Sequence, residues 1–165
     1  MMSTRIRNAV DSDFDYLLVL NESALPEVGH LEAADLEKLL AMAAYCRVIE
    51  QDGEDAGFLL GLEPGVDYNS VNYRYFSTHY DRFAYVDRIV IDAANRGQGL
   101  GTAMYDDFEA WARERGVPRI ACEVNVRPPN EPSRAFHLAR GFVQVGEQAA
   151  EGGKKTVALL VKELT

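Results

Sequence analysis

The chain is short of cysteine, histidine, basic charge and long apolar runs, and each shortage narrows its function. Only Cys46 and Cys122 occur in 165 residues. Both lie in apolar runs without metal-like spacing, so they read as buried thiols, not as a disulfide or a zinc site. The three histidines, His30, His79 and His137, are too scattered to suggest a metal cluster. Lysine and arginine number 17 against 26 aspartates and glutamates, a net charge of −9. No basic cluster offsets that excess, so the polyanionic backbone of nucleic acid would be repelled. No apolar run approaches the about 20 residues of a membrane-spanning helix. The stretch 1–7 has no hydrophobic signal core behind it, so export is not expected and a cytoplasmic protein is. Metal, nucleic acid and membrane are thus the partners the sequence argues against.

What remains suits one globular domain over residues 1–165, with 47% apolar and 26% charged residues and enough length for a core. Residues 4–8 read as a short strand. Asp11-Ser12-Asp13 offers helix N-cap chemistry ahead of a stripe of Phe14, Leu17, Leu18, Asn21 and Leu25, which Pro26 stops. Residues 32–44 are a second helical stretch, with Leu36, Leu39, Leu40 and Ala43 as its apolar face. Residues 45–51 and 56–62 flank Asp52-Gly53-Glu54-Asp55 as a hairpin. Residues 64–82 break the pattern and read as a polar, aromatic loop of about twenty residues. Its Tyr73, Tyr75 and Phe76 are either substrate contacts or aromatics that pack the loop down.

Residues 83–91 form the central strand. A helix over 100–115 carries Leu100, Met104, Phe108 and Trp111 on one stripe, and Gly116 and Pro118 end it. In the strand 119–126, Ile120, Cys122, Val124 and Val126 share one face, and Ala121, Glu123 and Asn125 the other. The prolines of 128–132 stiffen a crossing into a short helix, 133–140, capped by Gly141. A last hairpin pairs 142–146 with 156–162 around Glu151-Gly152-Gly153. The order is strand, two helices, three strands, helix, strand, helix, two strands. It predicts an α/β fold with a mixed sheet of about seven strands and about four helices.

The rest is arranged around Arg96-Gly97-Gln98-Gly99-Leu100-Gly101, a glycine turn between the central strand and its helix. Glycines let the backbone bend and bare its N–H groups, and the first N–H groups of a helix have no partner within it. The helix dipole adds positive potential there, so the turn is an anion site and phosphate the usual anion. It is not a P-loop, because Thr102-Ala103 follows Gly101. It is not a dinucleotide fingerprint, because the last position falls on Thr102 or Met104. What fits is Arg-x-x-Gly-x-Gly. With the strand Tyr85-Val86-Asp87-Arg88-Ile89-Val90-Ile91 before it, and Asn130-x-x-Ser133-x-x-Phe136-His137-x-x-x-Gly141-Phe142 after it, the chain resembles the GNAT superfamily of N-acetyltransferases over nearly its whole length.

The resemblance implies acetyl-CoA as acyl donor, with its pyrophosphate on the N–H groups of Gln98, Gly99, Leu100, Gly101 and Thr102. Arg96 and Gly97 shape the approach. The pantetheine arm would lie along Ile89, Val90 and Ile91 as an added strand does, lined further by Asn130 and Ser133. A backbone N–H near Ile89 or Val90 would serve the oxyanion. Relatives commonly have a tyrosine acid where this chain has His137. The imidazole there could be an acid, a base for the amine, or a space-filling side chain that bonds a neighbour. Asp87 and Glu123, acids inside strands, are candidates for the base or for amine binding, or else partners for Arg88, Arg119 or Arg127. Asn125 stands beside Glu123 and joins Tyr73, Tyr75 and Phe76 as a candidate substrate contact. The expected reaction is direct transfer of acetyl from acetyl-CoA to a small-molecule or peptide amine, without a metal. The rivals are a silent acyl-CoA-binding regulatory module and an acyltransferase with another acyl chain or acceptor. The final hairpin offers an edge for a homodimer.

Overall fold

The computed structural model describes residues 3–164; Met1 and Met2, which begin the N-terminal stretch read above, lie outside the described residues. The strands are β1 (Thr4–Asn8), β2 (Tyr45–Gln51), β3 (Glu54–Leu62), β4 (Ala84–Ile91), β5 (Arg119–Arg127), β6 (Val143–Ala150) and β7 (Lys155–Glu163). The helices are α1 (Phe14–Ser23), α2 (Ala33–Met42), α3 (Val71–His79), α4 (Leu100–Glu114) and α5 (Glu131–Ala139). The strands form one sheet in the order β1-β2-β3-β4-β5-β7-β6. β4 and β5 pair in parallel, through Ala84 with Ile120 and Tyr85 with Ala121. β5 with β7 and β6 with β7 pair antiparallel, so the last strand is inserted and β6 becomes an edge.

The fold is the expected mixed α/β sheet, with one correction: among the described residues there are five α-helices, not four. The extra one, α3, occupies part of the stretch 64–82 read as loop. Ser70 caps it, its side chain accepting from the N–H of Tyr73, which is the usual way to satisfy a free first-turn donor. Tyr73 and Phe76, three apart, are its buried face. A second correction concerns Asp11-Ser12-Asp13, which forms a 3-10 turn instead of capping α1. The Asp13 carboxylate reaches back to the N–H of Val10 at 2.8 Å and takes both terminal nitrogens of Arg7, at 2.8 and 2.9 Å.

The chain packs as two compact units. One runs to Leu62 and includes Val86–Trp111; the other comprises Glu63–Tyr85 and the chain from Ala112. In the first, Asp52 and Gly53 take φ of 52° and 84° to close the β2–β3 hairpin, the left-handed geometry such turns need. Leu100, Met104 and Phe108 of α4 are buried. Gly61 lets the Phe108 ring lie against β3, where a Cβ would stand 2.6 Å from a ring carbon. In the second unit, Tyr73 and Phe76 of α3 pack on Tyr85, with ring centroids 5.5 and 5.8 Å away, and on Phe83 at 6.0 and 6.3 Å.

Candidate active site

The first unit contains the glycine turn. β4 runs out through Ile89, Val90 and Ile91, of which Val90 is buried and its neighbours half-buried. Asp92 then caps a 3-10 turn by accepting from the N–H of Ala94 at 3.1 Å. Gly97 and Gly99 follow with φ of 79° and 78°. A Cβ at either would meet nothing within 4 Å, so these glycines are required by backbone angle, not by crowding. The N–H of Ala103 bonds the carbonyl of Gly99 at 3.0 Å and opens the helical ladder of α4. The N–H groups just before it, through Leu100, Gly101 and Thr102, are those that helix geometry leaves without an internal partner.

Arg96 and Gln98 are exposed beside these groups. Fifteen residues of α4 add a dipole whose positive end is here. The donor set fits a phosphate group: backbone N–H groups and a guanidinium, with no acid within 96–102. One contributor is missing from the sequence reading. Gln51, at the end of β2, accepts from the Thr4 hydroxyl at 2.6 Å and donates to Gln98 Oε1 at 3.2 Å. It ties the turn to β1 and β2.

Asp87 also lies in this unit, and its carboxylate meets the Arg88 guanidinium at 2.7 Å, with both side chains almost fully buried. The same guanidinium donates to Asn21 Oδ1 at 2.8 Å and to the Gly29 carbonyl at 2.9 Å. It fastens the connection between α1 and α2 to the central strand. The ion pair with Arg88, one of the readings open for Asp87, is present.

The second unit contains Glu123, half-buried on β5. Its Oε1 accepts from Tyr85 Oη at 2.7 Å and from Asn72 Nδ2 at 3.1 Å, and Oε2 lies 2.9 Å from Tyr85 Oη. Asn72 Oδ1 in turn accepts from Gln148 at 2.9 Å. No sequence signal links Asn72 or Gln148 to Glu123, because the stretch that forms α3 carries a loop-like pattern and Gln148 lies 76 positions from Asn72.

His137, on α5, is 4% exposed. Its Nδ1 lies 2.7 Å from the Ser133 carbonyl and 3.4 Å from the Ser133 hydroxyl. A carbonyl only accepts, so Nδ1 carries the proton and Nε2 is the basic nitrogen. Burial pushes this imidazole below the ordinary histidine value. The ring is therefore neutral near pH 7, which suits a proton acceptor better than a donor. Asn130 precedes α5 and makes no capping bond with its side chain; its N–H donates to the carbonyl of Asn125 at 3.1 Å. Tyr73 and Phe76 are buried in the aromatic cluster, so for these two the packing reading is the one present. Tyr75 is half-exposed, stacked on His79 with its hydroxyl 3.2 Å from the Val145 carbonyl.

Neither cysteine is an activated nucleophile: Cys122 is buried, and burial pushes the Cys46 thiol up to about 12. Among the described residues, no group of three His, Cys, Asp or Glu side chains could hold a metal ion.

A mixed seven-stranded sheet, with a glycine turn leading from its central strand to a helix N-terminus, defines an α/β protein whose turn has the donor geometry a phosphate group would fit. Residues 12–142 match the acetyltransferase (GNAT) family, and the chain belongs to it. An aminoglycoside N(6')-acetyltransferase type 1 from Klebsiella aerogenes is 28% identical over 111 residues, 67% of this chain and 66% of that one. The chain thus spans just under two thirds of that relative's length. An N-alpha-acetyltransferase from Sulfurisphaera tokodaii is 28% identical over 142 residues, 86% of this chain and 81% of that one. Among solved structures, Ard1 from Thermoplasma volcanium shares the fold with a TM-score of 0.80, at 17% identity and 98% coverage of both chains.

Proposed function

We propose that the chain, acting as one domain, transfers acetyl from acetyl-CoA directly to an amine. The observation that carries this reading is the turn at Gly97 and Gly99, with its two positive φ angles at the start of α4. Acetyl-CoA, when bound, supplies the acetyl group as an activated thioester. Gln98 to Thr102 offer their N–H groups to its pyrophosphate, beside Arg96 and Gly97. Ile89, Val90 and Ile91 offer backbone groups to the pantetheine arm, and Asn130 and Ser133 keep the lining role that family resemblance gives them.

Glu123 is the base that takes the proton an ammonium acceptor must lose before its nitrogen can attack. We assign it this role over Asp87, whose carboxylate is already compensated by Arg88. His137 is a second acceptor at Nε2. Tyr75 and Asn125 remain the candidate acceptor contacts. The acceptor itself is a small-molecule or peptide amine; one relative is named an aminoglycoside N(6')-acetyltransferase and the other an N-alpha-acetyltransferase, and a net charge of −9 favours a cation. We place the enzyme in the cytoplasm; no helix among the described residues is long and apolar enough to cross a membrane.

Calorimetric titration with acetyl-CoA tests the reading, run beside Gly99→Glu. The wild type is expected to bind, and the folded variant to lose binding through charge repulsion and strain at φ 78°. A folded wild type that does not bind overturns it. Binding without thiol release against a panel of amines would leave the acyl-CoA-binding module instead.

A further inference from the structure

We propose that Asn72 is a positioning residue for Glu123, held in its orientation by Gln148, so that the additional helix α3 belongs to the catalytic apparatus. The inference rests on the reading of Glu123 as the base, and extends it to two residues on other elements.

The argument is one of donors and acceptors. The Val71 carbonyl can only accept, and Gln148 Nε2 lies 3.1 Å from it, so the Gln148 amide is fixed with its NH2 toward α3. The same nitrogen is 2.9 Å from Asn72 Oδ1. That fixes the Asn72 amide in turn, with its NH2 toward Glu123 Oε1 at 3.1 Å. Direction thus passes from β6 through α3 to a carboxylate on β5, and no flip of either amide preserves all three bonds. From β4, the Tyr85 hydroxyl has one proton to share between Oε1 and Oε2.

Glu123 is therefore braced by donors from two elements. Of these two donors Tyr85 titrates and Asn72 does not, and the register partner of Glu123 on β7, Leu159, is apolar. Packing alone does not require this arrangement. α3 is already anchored by Tyr73 and Phe76 in the aromatic cluster. Its first turn could have faced Glu123 with an apolar residue; instead it presents an oriented amide. A donor to a carboxylate favours its charged form over its neutral one, so Asn72 both orients the Glu123 carboxylate and opposes its protonation.

The test titrates the Glu123 carboxyl carbon by NMR in the full chain, with the signal assigned through Glu123→Gln. This readout needs no turnover. Asn72→Leu keeps the approximate shape and removes the donor, and the Glu123 value is expected to rise by about one unit. Gln148→Met, which frees the Asn72 amide without touching Glu123, should raise it by less. It also keeps the test alive if Asn72→Leu does not fold. Titration curves in a folded variant that coincide with wild type would overturn the proposal and leave Asn72 a tether for α3. The pH dependence of kcat/KM with an accepted amine is measured in parallel. If its acid limb moves up with the NMR value, both inferences hold. If the NMR value moves and the rate profile does not, Asn72 positions Glu123 as argued, and it is the base assignment that fails.

Discussion

Tyr16 shows how a single atom can be out of step with its surroundings. Its hydroxyl is buried in the first unit and has no hydrogen-bond partner among the described residues, and burial raises it to about 12, so it stays protonated. An unpaired buried hydroxyl loses its water and gains nothing in return. Tyr16→Phe should therefore stabilise the protein by about 1 kcal/mol, a rise of about 2–4 °C in Tm for a chain of this size. A calorimetric scan in which the variant melts lower would mean that the hydroxyl has a partner in solution. The residues of the candidate site differ in the same terms. Glu123 accepts from the neutral donors Tyr85 and Asn72 and Asp87 meets the full positive charge of Arg88, and on those contacts two strand acids that look alike in sequence are given different roles. Sequence alone leaves them equal, because both sets of partners except Arg88 come from residues tens of positions away.

At the scale of elements, α3 carries the lesson about legibility. The strands, the β2–β3 hairpin and the α4 stripe follow from period and turn chemistry over neighbouring residues, so they can be read directly. In α3 the apolar period is short and diluted by Asn72, Arg74, Ser77 and Thr78, and Pro64-Gly65 upstream imitates a loop. The signals that could have found it are Ser70 as cap and the spacing of Tyr73, Phe76 and Tyr80. Ser70→Ala should cost about 1 kcal/mol, measured by urea unfolding, and loosen the Asn72 contact with it. The glycine turn was legible to the residue because its chemistry is all local. Its support by Gln51 was not, since that bond closes across 47 positions.

Gly57 is a further case, in which the need for glycine lies on the neighbouring strand. A Cβ there would stand 2.6 Å from the Val90 carbonyl oxygen and 3.2 Å from the Ile91 Cα. Gly57→Ala must displace β4 where the pantetheine arm is proposed to lie. We expect a loss of about 1–3 kcal/mol, together with weaker acetyl-CoA binding in the folded fraction. An alanine variant that binds with wild-type affinity would take β4 out of the cofactor site.

At the scale of the whole molecule, stability should depend on acid in two windows, one set by each unit. His137 is buried in the second unit, and its value in the folded state lies below the ordinary 6.5. The folded chain thus binds fewer protons than the unfolded one below that pH. The stability linked to the neutral ring is complete above about 6.5 and is lost as pH falls toward the depressed folded value. Asp13 in the first unit is held down chiefly by its bonds to Arg7, from an ordinary 3.8. Its contribution is present above that value and disappears as pH falls through the folded one. Urea unfolding at a series of pH values should therefore show ΔG declining first just below neutrality and again near the carboxylate range. His137→Phe should flatten the first decline and leave the second. Asp13→Asn should do the reverse, while lowering ΔG at neutral pH by about 2 kcal/mol, because Glu50 and Asp55 still compensate the Arg7 guanidinium. If both variants kept the wild-type shape, neither group would be the source of the acid sensitivity. Its origin would then be the general relief of charge that comes with protonating a chain of net −9.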